Sequence, residues 1–183
     1  MFETLDKKAT IQDYECLPEG APYQLIGGEL IMSPSPSFFH QRIQYRLATA
    51  LTAFAERHKL GIIVGSPLDV FFTDEDIYQP DLIFIRADRA RNLQKDKLRI
   101  VPDLVVEVLS PSNAYYDFTR KKEMYCARGV EEYWIIDPEQ ETVDVMIKHG
   151  EFYQTQRFLK QGASLESNMF PGFQMPLSEL FAF

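Results

Sequence analysis

A strand–helix–strand pattern over residues 101–137 constrains this chain more than any other feature of its sequence. The run over residues 104–109 is apolar except for Glu107, which indicates a strand covered on both faces. Residues 117–128 follow with helical spacing, and residues 133–136 form a second apolar run. A strand, a helix and a strand of these lengths predict a βαβ unit with two parallel strands.

The carboxylate of Glu107 is the unusual member of this unit. A carboxylate on a buried strand costs free energy unless a cation or hydrogen bonds compensate it. Phe118, Lys121 and Tyr125 recur at the spacing of one helix face. The helix is therefore predicted to bring a lysine back over the strand that carries Glu107, as one half of a functional site.

Composition limits the function classes that fit. The chain has 183 residues, 45% hydrophobic and 25% charged, which predicts one globular domain over residues 1–183. Its net charge of -8 argues against a protein that coats nucleic acid non-specifically, because such binding rests on phosphate neutralisation. Two cysteines, Cys16 and Cys126, indicate no disulfide framework and predict a cytoplasmic location. No apolar run approaches the ~20 residues of a spanning helix, so no membrane partner is expected.

The elements around the central unit predict an α/β chain, bordering on α+β, with a mixed central sheet. Apolar periodicity and turn residues delimit each of them. They are a short helix at 10–16, a hairpin of strands 23–26 and 29–32, a long helix at 39–58, strands at 62–64, 68–72 and 82–85, an acidic turn at 73–76, a hairpin of strands 142–148 and 152–158, and a tail that packs back on the core.

A second carboxylate, Asp81, stands at the mouth of the predicted strand 82–85. If this strand pairs with the strand of Glu107, the two carboxylates can share a hard divalent cation. Mg²⁺ takes oxygen ligands and keeps several waters, so two carboxylates and the backbone carbonyl of Val108 would suffice. Such a metal polarises a phosphoryl oxygen and lowers the pKa of its bound water.

A lysine beside the metal would orient that water or stabilise charge developing on a phosphate. Lys121 and Lys122 lie at similar angles on the predicted helix, so helical spacing leaves both open. The alternative reading has no metal. In it, Asp81 caps a turn and Glu107 is satisfied by a lysine or arginine.

Four motifs carry a family resemblance: Gln79-Pro-Asp81, Pro-Asp-Leu-Val-Val-Glu107-Val-Leu-Ser-Pro-Ser112, Asp117-x3-Lys121-x3-Tyr125, and Gly129-Val-x2-Tyr-Trp134-Ile-Ile-Asp137-Pro. With them, the chain resembles the putative restriction-endonuclease family of the PD-(D/E)XK nuclease-like superfamily over about residues 13–180. The last three motifs form the more specific part of the match.

The resemblance implies a restriction-endonuclease-like mixed sheet flanked by helices. It also implies Asp81 and Glu107 as metal ligands and Lys121 as the catalytic lysine. Glu29 is either a further carboxylate of that site, as the resemblance suggests, or an ordinary solvated residue of the hairpin. The superfamily's usual lysine, two residues after the glutamate, is Leu109 here. The resemblance therefore implies that the lysine has migrated to the helix.

The activity implied by the resemblance is Mg²⁺-dependent hydrolysis of DNA phosphodiester bonds, with Mn²⁺ as an alternative metal. A homodimer would bring one active site to each of the two DNA strands. This expectation rests on analogy alone. The competing hypothesis is a nuclease-fold module that binds nucleic acid or protein without cutting. A Lys121 amine beside the carboxylates favours the enzyme, whereas a solvent-facing lysine favours the module.

Three further features have open readings. His40, at the start of the long helix, is a cap or packed side chain, or else a member of the site. Asp117 is an N-cap, or it orients Lys121. Residues 86–99 hold six basic and two acidic residues, a net +4, and form a solvated face or contact phosphates. Trp134 is predicted to lie in the core.

Overall fold

The computed structural model describes residues 8–93, 97–110 and 114–182. The part of the chain before residue 94 contains α1 (Ile11–Glu15), β1 (Tyr23–Ile26), β2 (Glu29–Met32), α2 (Phe38–His58), β3 (Gly61–Gly65), β4 (Val70–Thr73), β5 (Asp76–Tyr78), β6 (Leu82–Arg86) and α3 (Ala87–Ala90). The part after residue 96 contains β7 (Leu104–Val108), α4 (Ala114–Phe118), α5 (Arg120–Arg128), β8 (Glu132–Asp137), β9 (Thr142–His149), β10 (Phe152–Leu159), β11 (Ser164–Leu165), β12 (Met175–Pro176) and α6 (Leu177–Leu180).

The larger sheet has six strands in the order β10-β9-β8-β7-β6-β3. Its β7 and β8 are parallel, and its other neighbouring pairs are antiparallel. The parallel pair, joined through α4 and α5, is the predicted βαβ unit. The mixed sheet flanked by helices confirms the predicted fold class.

The two faces of β7 separate the two main apolar clusters. Val106 and Val108 face α2 and the C-terminal tail, in a cluster that includes the fully buried Trp134. Val105 faces the opposite side and packs with Tyr125 of α5. This alternation follows from the two-residue period of a strand. Core positions were predicted for Trp134 and the tail, and the structure confirms both.

A smaller antiparallel sheet has the order β2-β1-β5-β4 and includes a strand that the sequence pattern misses. The predicted acidic turn at 73–76 is too long, because Thr73 pairs with Asp76 across a turn of two residues. The Asp76 carboxylate is buried and accepts hydrogen bonds from the Gly27 amide at 2.8 Å and the Tyr78 hydroxyl at 2.7 Å. These partners let an acidic residue sit inside β5.

The predicted single helix over residues 117–128 is wrong in one respect, because the chain bends at Thr119 between α4 and α5. The Thr119 hydroxyl donates to the carbonyl of Tyr115 at 2.5 Å, a contact that favours helix bending. Phe118 is consequently 49% exposed and does not share the buried face of α5. No helix among the residues with described positions has the length and apolar character to cross a bilayer.

Candidate active site

Asp81 and Glu107 come together because β6 and β7 pair antiparallel, with Leu82 opposite Val106. One further step of this register sets Asp81 opposite Glu107. Directly opposed residues share one face of a sheet, with Cβ atoms about 4.5–5.5 Å apart. The Asp81 Oδ2 atom accepts the backbone N–H of Val108 at 2.7 Å, which fixes this carboxylate at the end of β7.

Glu107 is buried, with 3% of its surface exposed. Its Oε1 atom accepts hydrogen bonds from Lys121 Nζ at 3.0 Å and from the Tyr125 hydroxyl at 2.6 Å. Burial raises the pKa of Glu107 to about 8; Lys121 opposes this rise, and the charges of Asp117 and Asp81 add to it. The carboxyl therefore retains a proton to unusually high pH unless further positive charge approaches.

Lys121 lies between two buried carboxylates. Its Nζ atom is 3.0 Å from Glu107 Oε1 and 2.9 Å from Asp117 Oδ1. Burial alone would lower the pKa of Lys121, but the two carboxylates outweigh it and raise the pKa above its ordinary value. Lys122, the other lysine left open by helical spacing, instead acts electrostatically on Asp144. The structure therefore selects Lys121 as the lysine beside Glu107.

Asp117 is not an N-cap, because it lies inside α4 with its carboxylate buried against Lys121. The alternative prediction, that Asp117 orients Lys121, agrees with this contact. Burial raises the pKa of Asp117, and the charge of Lys121 opposes that rise. Asp117 thus belongs to the same buried group of charges as Glu107.

His40 also belongs to this group. The N-cap of α2 is Ser37, whose Oγ accepts the backbone N–H of His40 at 3.1 Å. The buried imidazole points Nε2 at Asp81 Oδ2, 3.1 Å away. Burial lowers the pKa of His40, but the hydrogen bond and charge of Asp81 outweigh it, so the pKa is raised. In the sequence, the local feature that indicated the place of His40 in the first turn of α2 was its spacing of three residues from the cap residue Ser37.

These side chains line a cleft of about 1080 Å³. With all three carboxyls ionised, Asp81, Glu107 and Asp117 would carry three negative charges against the one positive charge of Lys121, a net -2 when His40 is neutral, and this repulsion contributes to the raised pKa values of Glu107 and Asp117. A divalent cation would balance that charge. The cleft is bounded on one side by the proline-rich loop of residues 33–37, which precedes α2.

The donor set fits a hard cation. Within the described parts of the chain, the protein contacts of Asp81 are made by Oδ2 and those of Glu107 by Oε1. One oxygen of each carboxylate is therefore left for a ligand. In the same residues, no three His, Cys, Asp or Glu side chains are arranged to hold a metal by themselves. A metal here would complete its shell with a carbonyl and waters, as Mg²⁺ commonly does.

Glu29 is not brought to this group. Its side chain is 57% exposed and pairs with Arg120, with 3.3 Å between Oε2 and Nη1. Glu29 does not line the cleft. Its position at the start of an edge strand explains the exposure.

Three of the basic residues at 86–99, namely Arg86, Arg89 and Lys97, form ion pairs within the protein. Arg86 and Arg89 both contact the buried carboxylate of Asp103, at 3.1 and 2.7 Å. Lys97 pairs with Glu15 on α1. The described part of the segment therefore has a structural role, and residues 94–96 lie outside the described ranges.

Comparisons with known proteins show the family and the fold. The model of the Uma2 family, described as "Putative restriction endonuclease", matches residues 11–178. A crystal structure of a "putative nuclease belonging to DUF820" from Anabaena variabilis ATCC 29413 is 21% identical, covering 94% of this chain and 97% of its own, with a TM-score of 0.79. That likeness shows a shared nuclease-like fold. A search of curated proteins gives no match. Because the family model spans nearly the whole chain, this protein belongs to the Uma2 family of putative restriction endonucleases.

Proposed function

We propose that this protein is a metal-dependent endonuclease that hydrolyses DNA phosphodiester bonds. The observation that carries the proposal is the convergence of Asp81, Glu107 and Lys121 in one cleft, with the Lys121 amine 3.0 Å from Glu107. Membership of the Uma2 family, which is described as putative restriction endonucleases, supports the same reaction class.

Asp81, Glu107 and the backbone carbonyl of Val108 would hold Mg²⁺, or alternatively Mn²⁺. The bound cation would supply a Lewis acid for a phosphoryl oxygen and a water of lowered pKa. The three clustered carboxyls of the cleft and the raised pKa of Glu107 support this assignment, because a bound cation would stabilise the ionised form of Glu107.

Lys121 is assigned as an electrostatic stabiliser. Its raised pKa keeps the ammonium protonated at neutral pH, so it donates hydrogen bonds and does not act as a general base. An ammonium in this position would stabilise negative charge developing on the phosphate and hold the attacking water. Asp117 fixes the amine from its other side, and His40 fixes the orientation of Asp81.

Cleavage of closed circular DNA in Mg²⁺ or Mn²⁺ tests the proposal, with circular dichroism as the check on folding. Asp81→Asn, Glu107→Gln and Lys121→Met are each expected to lose at least about 100-fold in rate. Lys122→Met is the matched control, because it removes the neighbouring lysine of the same helix and should retain activity. Full activity in Asp81→Asn or Lys121→Met would refute the assigned roles.

One observation favours the non-cutting alternative. One oxygen of Asp81 and one of Glu107 already lie in ion pairs, with His40 and Lys121. Calorimetric titration of wild type and Asp81→Asn with Mg²⁺ and Mn²⁺, with and without DNA, separates the two functions. Metal binding that vanishes in Asp81→Asn supports the nuclease, whereas no binding even with DNA supports the module.

Two broader expectations accompany this proposal. A homodimer that addresses two strands stays a prediction from analogy with other nucleases. Cys16 and Cys126 are both free thiols in the structure, which fits the proposed cytoplasmic setting.

A further inference from the structure

Four exposed aromatic side chains stand on α2 and α4, the two helices that contribute residues to the cleft, although none of the four lines the cleft itself. Phe38 and Tyr45 are 71% and 76% exposed, and their seven-residue spacing puts them on one face of α2. Tyr115 and Phe118 are 66% and 49% exposed on α4. Rings of this size exposed beside a cleft need a reason, because large apolar groups are usually buried.

Each pair of rings adjoins residues that line the cleft. On α2, the lining residues include His40 and Gln41, which lie between Phe38 and Tyr45 in the chain. On α4, Ala114 and Asp117 line the cleft, and each immediately precedes one of the two exposed rings, at positions 115 and 118.

The two pairs approach from different sides of the six-stranded sheet. Helix α2 packs on the face of Val106, whereas α5, which continues from α4, packs on the face of Val105. The cleft opens at the end of β7, where these two layers meet. The four rings therefore stand on helices that reach the cleft from the two faces of the sheet, and we call the four of them the aromatic rim.

Charge argues against a duplex as the ligand of this surface. The chain carries a net charge of -8, and tight duplex binding depends on cations that neutralise phosphates. Basic side chains near the rim have protein partners: Arg42 and Arg46 donate to the carbonyl of Ala182, and Arg120 pairs with Glu29. A duplex also keeps its base faces stacked inside the helix, out of reach of these rings.

A single strand, in contrast, presents base faces. Stacking of bases on aromatic side chains is tolerant of sequence and adds affinity that does not come from phosphate neutralisation, a contribution that a duplex cannot gain. We propose that the cleft receives single-stranded nucleic acid, whose bases stack on the aromatic rim while one phosphate lies at Asp81, Glu107 and Lys121. This inference deepens the proposed function. The position of the phosphate rests on that proposed function, whereas the base stacking depends only on the aromatic rim.

Fluorescence anisotropy of a labelled oligothymidine of about 12 nucleotides, a length that spans a typical single-strand site, tests the stacking. The competitor is a hairpin duplex of the same length, and EDTA prevents any metal-dependent cleavage. Wild type should bind the single strand more tightly than the duplex. Tyr45→Ala and Tyr115→Ala should each weaken single-strand binding about five-fold or more, whereas Tyr115→Phe should retain it.

Phe152→Ala is the matched control. Phe152 is 62% exposed on β10 and does not line the cleft, so its loss removes an exposed ring elsewhere and should leave binding unchanged. Sedimentation of wild type and of Tyr45→Ala tests the competing occupant, a second copy of this chain. A rim variant that dissociates an oligomer would assign the rings to an interface between copies and overturn the proposal.

Binding without metal also separates this inference from the nuclease proposal. Ring-dependent binding with no cleavage of circular single-stranded or duplex DNA would refute the nuclease and keep the stacking surface. Cleavage of duplex DNA that is indifferent to Tyr45→Ala and Tyr115→Ala would keep the nuclease and overturn the single-strand inference. Absent binding of the oligothymidine, or tighter binding of the duplex, would overturn it as well.

Discussion

Glu107→Gln is expected to stabilise the protein at pH 8, although it removes a proposed metal ligand. Glu107 is 3% exposed, and burial raises its pKa from 4.5 to about 8 despite the opposing charge of Lys121. Glutamine keeps an oxygen acceptor for Lys121 and Tyr125 but carries no charge. The variant therefore imitates the protonated carboxyl at every pH.

The magnitude follows from proton linkage. A carboxyl whose pKa is raised on folding contributes stability that is fully present below pH 4.5 and is lost as the pH rises through about 8. With these two pKa values, the loss is about 1 kcal/mol at pH 5 and about 4 kcal/mol at pH 8. Glu107→Gln lacks this loss, so its advantage in free energy of unfolding should grow by about 3 kcal/mol over that range.

Urea unfolding of both proteins in EDTA, at pH 5 and pH 8, measures this difference. Glu123→Gln changes an exposed carboxylate of the same helix as Lys121 and serves as the control. A stability advantage of Glu107→Gln that is the same at both pH values would refute the reasoning, as would a variant less stable than wild type at pH 8. Mg²⁺ added at pH 8 should stabilise wild type more than Glu107→Gln, because binding to the folded state raises stability.

Two further predictions concern the supports of the site. Lys121→Met should lower the free energy of unfolding by about 3–5 kcal/mol at pH 8, because Glu107 and Asp117 lose their buried cation. Urea unfolding should show a smaller loss at pH 5, where Glu107 is protonated and does not need the cation; equal losses would contradict this cause. Ser37→Ala should cost about 1 kcal/mol through the lost N-cap of α2. Ser35→Ala in the same loop is its control, and equal unfolding midpoints for the two variants would refute the capping role.

The parts of the fold that could be predicted from sequence depend on local patterns. The strand–helix–strand unit around Glu107 combines apolar runs with a helix of ordinary length, and each signal is contained within about 40 residues of chain. The hairpin of β1 and β2 is marked by Gly27 and Gly28, both with positive φ. The pairing of β6 with β7 then made Asp81 and Glu107 neighbours, as the hypothesis of a shared site required.

The parts that sequence reasoning missed depend on contacts between distant residues. Strand β5 has three residues, too few for an alternating pattern, and its acidic member is compensated by Gly27 from another hairpin. His40 meets Asp81 only because α2 packs across the sheet on which Asp81 stands. Spacing along the chain carries no information about either contact.

The bend between α4 and α5 explains how a lysine on a helix can serve this site. Leu109 occupies the strand position at which the resemblance to the PD-(D/E)XK superfamily would place a lysine, and it packs among apolar side chains. Lys121 instead reaches Glu107 from the first turn of α5, with its whole side chain buried. A lone buried ammonium would be costly, and Asp117 at the end of α4 supplies the second carboxylate that keeps it charged. The proposed role of Lys121 therefore depends on Asp117, and the four-residue spacing of the two residues is the feature of the sequence that indicates this dependence.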